Sequence, residues 1–224
     1  MNSVFKWPPL ESDPEIFNNY FGKLGLPSNY YFGEIYSLDA EALEMVPSTA
    51  FAVIANINSG NTKFCYLEEN EKKYSDVPFF MRQEGDLDMA CGLIASLHAL
   101  GNSNITFEKD SILQKFFNQC KDKDDHERCK ILSEMNDFKI AHEEFSGQGQ
   151  SKLCETADEV SGHYICFIVI GNTLYELNGA HGKPYIINKN IDEKDFMSLV
   201  CLEIRNRLEN GFISEQLSMM FLSN

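Results

Sequence analysis

The feature that most constrains the fold of this sequence is a pair of apolar segments joined by a two-residue turn signal. Tyr164–Ile170 and Thr173–Leu177 are rich in β-branched and aromatic side chains, and Gly171-Asn172 separates them. A Gly/Asn dipeptide between two such segments is typical of a tight antiparallel hairpin. The sequence therefore predicts two adjacent strands with a defined register.

The predicted register brings two polar residues together. If Ile170 faces Thr173 across the turn, Asn178 falls opposite Ile165, and His163 lies on the same face because side chains alternate along a strand. His163 and Asn178 are then diagonal neighbours, about 7–8 Å apart and within reach of each other. The amide oxygen of Asn178 can accept from one imidazole nitrogen, which leaves the other for a nucleophile. A lone histidine at a strand end would otherwise be only a surface residue.

A candidate nucleophile precedes the hairpin in the chain. Cys91 lies near the start of a predicted helix over Ala90–Leu100, which Gly101-Asn102 ends. A helix N-terminus offers unpaired N–H groups and a partial positive charge, and both stabilise a thiolate. A cysteine at a helix start is, taken alone, more often structural. The helix position therefore makes Cys91 a candidate that needs further support.

A second polar residue lies shortly before Cys91. Gln83 follows a predicted strand over Val77–Met81. An amide N–H₂ held beside a nucleophile stabilises the oxyanion of a tetrahedral intermediate. Without further context, a solvated glutamine explains this residue equally well.

The remaining patterns predict one mixed α+β domain over residues 1–224. Strands are expected at Phe51–Ile57 and in the closing apolar segment Leu217–Leu222, and a long surface loop at Ser146–Gly162. Helices are expected in three regions: from Ser12-Asp13-Pro14-Glu15 to about Leu24 with Gly25 ending it, over much of Ile112–His142, and again from about Asp192.

Charge and cysteine content narrow the class of protein. The formal net charge of −15 argues against a nucleic-acid partner, since phosphates need a basic surface. It suits a basic protein partner, or it only keeps the chain in solution. Seven cysteines without a Cys-x-x-Cys pair, a start without a signal peptide and no apolar segment of membrane-spanning length favour a cytoplasmic protein with free thiols. No pattern suggests a metal or an organic cofactor.

Several motifs, in one order, resemble the ubiquitin C-terminal hydrolase family. They extend over essentially the whole chain, so the resemblance does not depend on one cysteine and one histidine. The motifs are Trp7-Pro8-Pro9-Leu10-Glu11-Ser12-Asp13-Pro14-Glu15, Phe80-Met81-Arg82-Gln83, Ala90-Cys91-Gly92, Leu97-His98-Ala99, and His163-Tyr164-Ile165 followed by Leu174-Tyr175-Glu176-Leu177-Asn178-Gly179.

The resemblance implies a papain-like domain with a central antiparallel sheet flanked by helices and a knotted backbone. It implies a monomeric thiol hydrolase that removes small adducts or short peptides from the C-terminal glycine of ubiquitin or a ubiquitin-like modifier. The segment Ser146–Gly162 would arch over the active site and limit the size of the leaving group.

The resemblance also assigns roles to individual residues. It makes Cys91 the nucleophile, His163 the base, Asn178 the residue that orients the base, and Gln83 the oxyanion donor. Leu10 and Glu11 fall in a segment that contacts ubiquitin in the family. His98 is expected to be a packed helix residue. The cysteines at positions 65, 120, 129, 154, 166 and 201 are expected to be structural or surface thiols.

Two departures from the family pattern leave a second interpretation open. The orienting residue is normally an aspartate, and here it is Asn178. The segment Glu84–Ala90, between Gln83 and Cys91, is longer and more acidic than usual, although Gly85 can absorb the extra length as a bulge. The alternative hypothesis is a ubiquitin-binding protein of the same fold with weak catalysis.

Overall fold

The computed structural model describes residues 5–61, 76–149 and 162–224. Its strands form one six-stranded sheet in the order β1-β6-β2-β3-β4-β5, and every neighbouring pair is antiparallel. This agrees with the predicted mixed α+β class. The strands are β1 (Tyr31–Glu34), β2 (Ala52–Ser59), β3 (His163–Ile170), β4 (Thr173–Leu177), β5 (Tyr185–Lys189) and β6 (Ile213–Ser223).

Helices in the described residues pack on both faces of this sheet. Short 3₁₀ turns occur at Gly85–Leu87, Gly179–His181 and Glu193–Asp195. The α-helices are α1 (Pro14–Leu24), α2 (Ala40–Leu43), α3 (Cys91–Gly101), α4 (Ile112–Gln119), α5 (Asp125–Glu134), α6 (Asn136–Ser146) and α7 (Phe196–Glu209).

The first helix forms where the capping signals predict it. The carboxylate of Asp13 accepts from the backbone N–H of Glu15 at 2.7 Å, and Pro14 occupies the first helical position. Gly25 ends the helix with a left-handed φ of 102°, which a residue without Cβ adopts at little cost. The predicted helix from Ser12 to about Leu24 is therefore confirmed.

The predicted hairpin is also confirmed, together with its register. Ile170 pairs with Thr173 and Cys166 with Leu177, and Gly171 adopts a positive φ of 61° in the turn. Extending this register by one residue brings Asn178 opposite Ile165. The hairpin therefore places His163 and Asn178 at the same end of the sheet.

Two apolar cores cover the two faces of the sheet, because successive side chains of a strand point to opposite sides. Along β2, Ala52 and Ile54 join the core that contains α1 and α3, whereas Val53 and Ala55 join the core beneath α7. The sheet is the middle layer of three. Strand β3 is central and inaccessible along most of its length, so its first residue, His163, is held in a rigid frame.

The strand predicted at Val77–Met81 is wrong. This segment is extended but belongs to no sheet, because side chains satisfy its backbone. Asn102 accepts from the N–H of Phe79 at 3.0 Å and donates to its carbonyl oxygen at 2.7 Å. Arg128 donates to the carbonyl oxygen of Phe80 at 2.9 Å. An apolar segment whose backbone is already paired in this way does not need a neighbouring strand.

The loop predicted at Ser146–Gly162 is described only at its two ends. Ser146 is the last residue of α6, Gly147 to Gly149 follow as a turn, and Gly162 precedes β3. Residues 150–161, which make up most of the predicted arching loop, lie outside the described part of the chain. Among the residues that are described, no helix is both long and apolar enough to cross a membrane.

Candidate active site

Cys91 is the first residue of α3, a helix whose residues are nearly all buried. No side chain caps this helix start, so its first N–H groups keep their donor capacity beside the thiol. The helix approaches β3 closely at Gly92, where an added Cβ would lie 3.4 Å from Phe17 and from Tyr164. This close approach brings the start of α3 against the start of β3, and hence Cys91 against His163.

His163 and Asn178 form the predicted pair. The Nε2 atom of His163 lies 2.8 Å from Oδ1 of Asn178. The same oxygen accepts from the backbone N–H of Ala180 at 3.0 Å, in the 3₁₀ turn that follows β4. Two donors therefore converge on one amide oxygen, which fixes the ring of His163 and leaves its Nδ1 atom for another partner.

That partner is Cys91, whose side chain acts on the His163 ring and favours its protonated form. Burial of the ring opposes protonation, but the interaction with Cys91 and the charge of its sulfur outweigh that effect. The Asn178 amide and the Glu176 carboxylate act in the same direction, so the pKa of His163 is raised above its ordinary value. The arrangement suits a thiolate–imidazolium pair, the reactive form of a cysteine nucleophile.

Gln83 lies beside this pair, and its side-chain amide donates within the segment that leads to Cys91. Its backbone N–H donates to the carbonyl oxygen of Gly179 at 2.9 Å. Its Nε2 atom donates to the carbonyl oxygen of Asp88 at 2.5 Å, and its buried Oε1 atom has no hydrogen-bond partner. The backbone of Gln83 is thus in the site, whereas its side-chain donor is occupied within the segment that leads to Cys91.

The long segment before Cys91 forms a compact turn. Gly85–Leu87 is a 3₁₀ turn that Gly85 opens with a φ of 60°, as the sequence led us to expect. The residues on either side of Gln83 are fixed by α5. Arg82 pairs with Asp125 at 2.7 Å and Glu84 with His126 at 2.7 Å. This helix therefore sets the path of the backbone on which Gln83 sits.

The N-terminal segment joins the site through a buried tyrosine. The hydroxyl group of Tyr164, the residue after His163, donates to the carbonyl oxygen of Leu10 at 3.0 Å. The side chain of Leu10 is only 4% exposed and packs in the core, whereas Glu11 is half-buried and close to Gly149. Of the two residues expected to contact ubiquitin, only Glu11 presents a substantial part of its side chain at the surface.

Two neighbours of the pair were not identified from the sequence. Glu176 is fully buried on β4, and its charge acts on both His163 and His181. The alternation of β4 contains the signal that was missed, because Glu176 and Asn178 are two residues apart and share a face. His181 follows in the 3₁₀ turn, where burial lowers its pKa.

The other histidines and cysteines of the described chain agree with structural roles. His98 and His142 are buried, and burial lowers the pKa of each to about 4. His98 contacts the backbone of Met81, as expected of a packed helix residue. Burial raises the pKa of Cys120 to about 12 and that of Cys201 to about 11. Cys129 and Cys166 are also buried and free, whereas Cys65 and Cys154 lie outside the described residues.

Comparison of the sequence with known families gives one match over most of the chain. The sequence model of "Ubiquitin carboxyl-terminal hydrolase, family 1" matches residues 7–209. Ubiquitin carboxyl-terminal hydrolase 3 of Arabidopsis thaliana is 35% identical over 191 residues, which cover 82% of this chain and 80% of the plant protein. A ubiquitin carboxyl-terminal hydrolase of Aplysia californica is 30% identical over 83% of this chain and 87% of its own length.

Comparison with solved structures supports the same fold. The catalytic domain of Trichinella spiralis UCH37, crystallised bound to ubiquitin vinyl methyl ester, superposes with a TM-score of 0.71 and 20% identity. The superposition covers 98% of this chain and 96% of that domain. The six-stranded sheet and its flanking helices are therefore an arrangement that a solved structure shares.

Proposed function

Because the chain belongs to ubiquitin carboxyl-terminal hydrolase family 1, we propose that it cleaves small adducts or short peptides from the C-terminal glycine of ubiquitin or a ubiquitin-like modifier. The observation that supports this most directly is the linked set Cys91, His163 and Asn178. The side chain of Cys91 is among the groups that raise the pKa of His163, and Nε2 of the His163 ring lies 2.8 Å from the amide oxygen of Asn178. Such a linked set is what nucleophilic acyl transfer by a thiol requires.

In the proposed reaction, His163 takes the proton of the Cys91 thiol, and the thiolate attacks the carbonyl carbon of the terminal glycine. The tetrahedral oxyanion is stabilised by N–H groups at the start of α3 and by the amide of Gln83. His163 then gives its proton to the leaving amine or alcohol, and the thioester forms. Water, deprotonated by His163, hydrolyses the thioester and releases Cys91.

The proposed role of Gln83 requires one rearrangement. Its Nε2 atom must leave the carbonyl oxygen of Asp88 and turn toward the oxyanion. The unpartnered Oε1 atom favours such a turn, because the present orientation leaves one buried acceptor unsatisfied. We propose that the bound substrate supplies the interactions that complete this rearrangement of the Gln83 side chain.

Several further parts of the proposal follow from family membership. The catalytic unit is one domain over residues 1–224 that acts as a monomer, and its backbone has the knotted path of the family. Ubiquitin contacts the segment containing Leu10 and Glu11, and the segment at 146–162 limits the leaving group. The negative net charge supports a partner with a basic surface.

The test is covalent capture by ubiquitin vinyl methyl ester together with hydrolysis of a ubiquitin C-terminal fluorogenic amide. The wild-type protein is expected to form the adduct and to release the fluorophore. Cys91→Ala is expected to do neither and to bind ubiquitin as the wild type does. Cys201→Ala, which removes another buried thiol, is the matched control and is expected to keep full activity.

A second function, ubiquitin binding with little catalysis, is favoured by two observations. Asn178 is neutral where the family pattern has an aspartate, and the Gln83 donor is bonded to Asp88. A protein of this kind would bind ubiquitin without adduct formation.

The hydrolase proposal has its own contradicting outcome. Turnover by Cys91→Ala near the wild-type rate would remove Cys91 from the mechanism.

A further inference from the structure

The N-terminal segment that begins at Pro8 is fastened to α6 and β3 by its own backbone. The carbonyl oxygen of Pro8 accepts from Nε2 of His142, a buried residue of α6, at 2.6 Å. Two residues later, the carbonyl oxygen of Leu10 accepts from the hydroxyl group of Tyr164 at 3.0 Å. Both acceptors are backbone atoms, so these bonds fix the path of the chain up to Glu11. The side chain of Glu11 therefore starts from a defined place.

This side chain lies against Gly149, in the turn that follows α6. The place where a Cβ atom of residue 149 would stand is taken by Glu11, whose Cβ is 2.9 Å and Cδ 3.1 Å from it, with a carboxylate oxygen closer still. Real Cβ atoms essentially never come within 3.0 Å of another heavy atom. The half-buried Glu11 side chain can therefore lie here only because residue 149 has no side chain of its own.

Backbone conformation gives no reason for a glycine at this position. Several glycines of the described chain, such as Gly25 and Gly171, have the positive φ that other residues adopt at a cost, but Gly149 does not. An alanine at position 149 would thus meet no backbone strain, and its methyl group would meet Glu11. The close approach of the Glu11 side chain is the physical reason for the glycine.

We propose that Gly149 is a positioning residue for substrate binding, because the space that it leaves holds the Glu11 side chain in the place from which it contacts the bound modifier. The backbone bonds of Pro8 and Leu10 fix where this side chain begins, and Gly149 fixes where it lies. The inference rests on the proposed function, because it takes Glu11 to belong to the surface that binds ubiquitin or a related modifier. It adds the end of α6 to the elements that shape this surface.

The main test is Gly149→Ala, assayed with the ubiquitin C-terminal fluorogenic amide. The added Cβ atom displaces the Glu11 side chain, while the bonded backbone before it stays in place. KM is expected to rise several-fold with kcat nearly unchanged, the pattern of lost binding without lost chemistry. Binding is also measured without turnover, by calorimetry with ubiquitin in a Cys91→Ala background. There Gly149→Ala is expected to raise Kd several-fold.

A double-mutant cycle separates this effect from a general disturbance of the turn. Glu11→Ala removes the side chain that the new Cβ atom would meet, and it is itself expected to raise KM. In that background Gly149→Ala is expected to cause no further rise, because two substitutions that act through one contact are not additive. Gly22→Ala is the matched control and is expected to keep the wild-type KM. Gly22 is exposed on α1, and a Cβ added there meets nothing within 4 Å in the described chain beyond its own helix.

The contradicting outcomes distinguish this inference from the proposed function. A wild-type KM in Gly149→Ala, or a rise of the same size with and without the Glu11 side chain, would overturn the inference and leave the hydrolase proposal intact. A fall in kcat at unchanged KM would also overturn it, because the substitution would then act on the catalytic residues. If the wild-type protein neither binds ubiquitin nor hydrolyses the amide, the proposed function fails, and this inference fails with it.

Discussion

The hydroxyl group of Tyr164 lies 3.0 Å from the carbonyl oxygen of Leu10. This bond joins the residue after His163 to the segment that is proposed to contact ubiquitin. Burial raises the pKa of Tyr164, so the hydroxyl group stays a donor throughout the range in which the protein is folded. Substrate binding and the placement of the proposed base are thus connected through one side chain.

Tyr164→Phe is expected to weaken substrate binding more than it slows turnover. The change leaves a buried carbonyl oxygen without its donor, which costs about 1 kcal/mol of stability and loosens residues 10 and 11. We expect KM for a ubiquitin fluorogenic amide to rise a few-fold with kcat nearly unchanged. Tyr36→Phe, at a residue that is 73% exposed, is the control. An unchanged KM in Tyr164→Phe would show that the bond is only structural.

Gln83→Ala is expected to lower kcat by roughly a hundredfold and to leave KM close to the wild-type value, the pattern expected when an oxyanion donor is removed. The bond from Nε2 to the carbonyl oxygen of Asp88 is also lost, so unfolding by urea must be followed in parallel. Gln119→Ala, at an exposed position on α4, is the matched control. A change in KM alone would point to a role in binding.

Asn178→Asp is expected to increase kcat/KM a few-fold. Both groups that now meet Oδ1, the His163 ring and the N–H of Ala180, are donors, so a carboxylate oxygen in that place accepts from both. Its charge-assisted bond is roughly twice as strong as a neutral one, and it raises the pKa of His163 further. Repulsion from the buried Glu176 opposes the gain.

The measurement for Asn178→Asp is kcat/KM from pH 5 to 9, with Asn178→Ala as the control. The alanine variant removes the shared acceptor and is expected to fall well below the wild type. If the aspartate variant folds but is no faster at any pH, the site is adapted to a neutral orienting amide.

Stability is expected to fall as the pH is lowered from about 6.5 toward 4. His98 and His142 are neutral when folded, with pKa values of about 4, but protonate near 6.5 when unfolded. Between these values the unfolded state binds more protons, so each histidine removes stability as the pH falls, on the order of 3 kcal/mol by pH 4.

The pH effect is tested by urea unfolding at several pH values. His142→Gln is expected to flatten the slope of stability against pH, because one of the two buried titrating groups is gone. Gln119→Ala, at an exposed residue without a titrating group, is expected to keep the wild-type slope. A slope that is the same in all three proteins would assign the acid sensitivity to other groups.

The parts that the sequence predicted well depend on local chemistry. The Gly171-Asn172 turn and the alternation around it determine the register, and the register alone brings His163 near Asn178. In the same way, Asp13, Pro14 and Gly25 set the ends of α1. These signals lie within a few residues of the structure they specify, so tertiary packing has little opportunity to override them.

The parts that were missed depend on partners far away in the sequence. The short strands β1 and β5 and the one-turn helix α2 have too few residues to show a period. Asn102 and Arg128 decide whether Val77–Met81 joins a sheet, because they pair with its backbone. Arg207 decides whether Glu176 can be buried, because it pairs with the carboxylate. The direction of the Gln83 amide is set by one backbone carbonyl in an irregular turn, which no residue pattern encodes.

The position of β6 has a consequence for how the protein folds. This strand, residues 213–223, lies between β1 and β2, so residues 31–34 reach the sheet only through the last strand of the described chain. Contacts between such distant segments make folding slow, because a long chain must close before they form. Until β6 docks, one edge of β2 pairs with β3, the strand that begins at His163, and the other edge is unpaired and prone to aggregation.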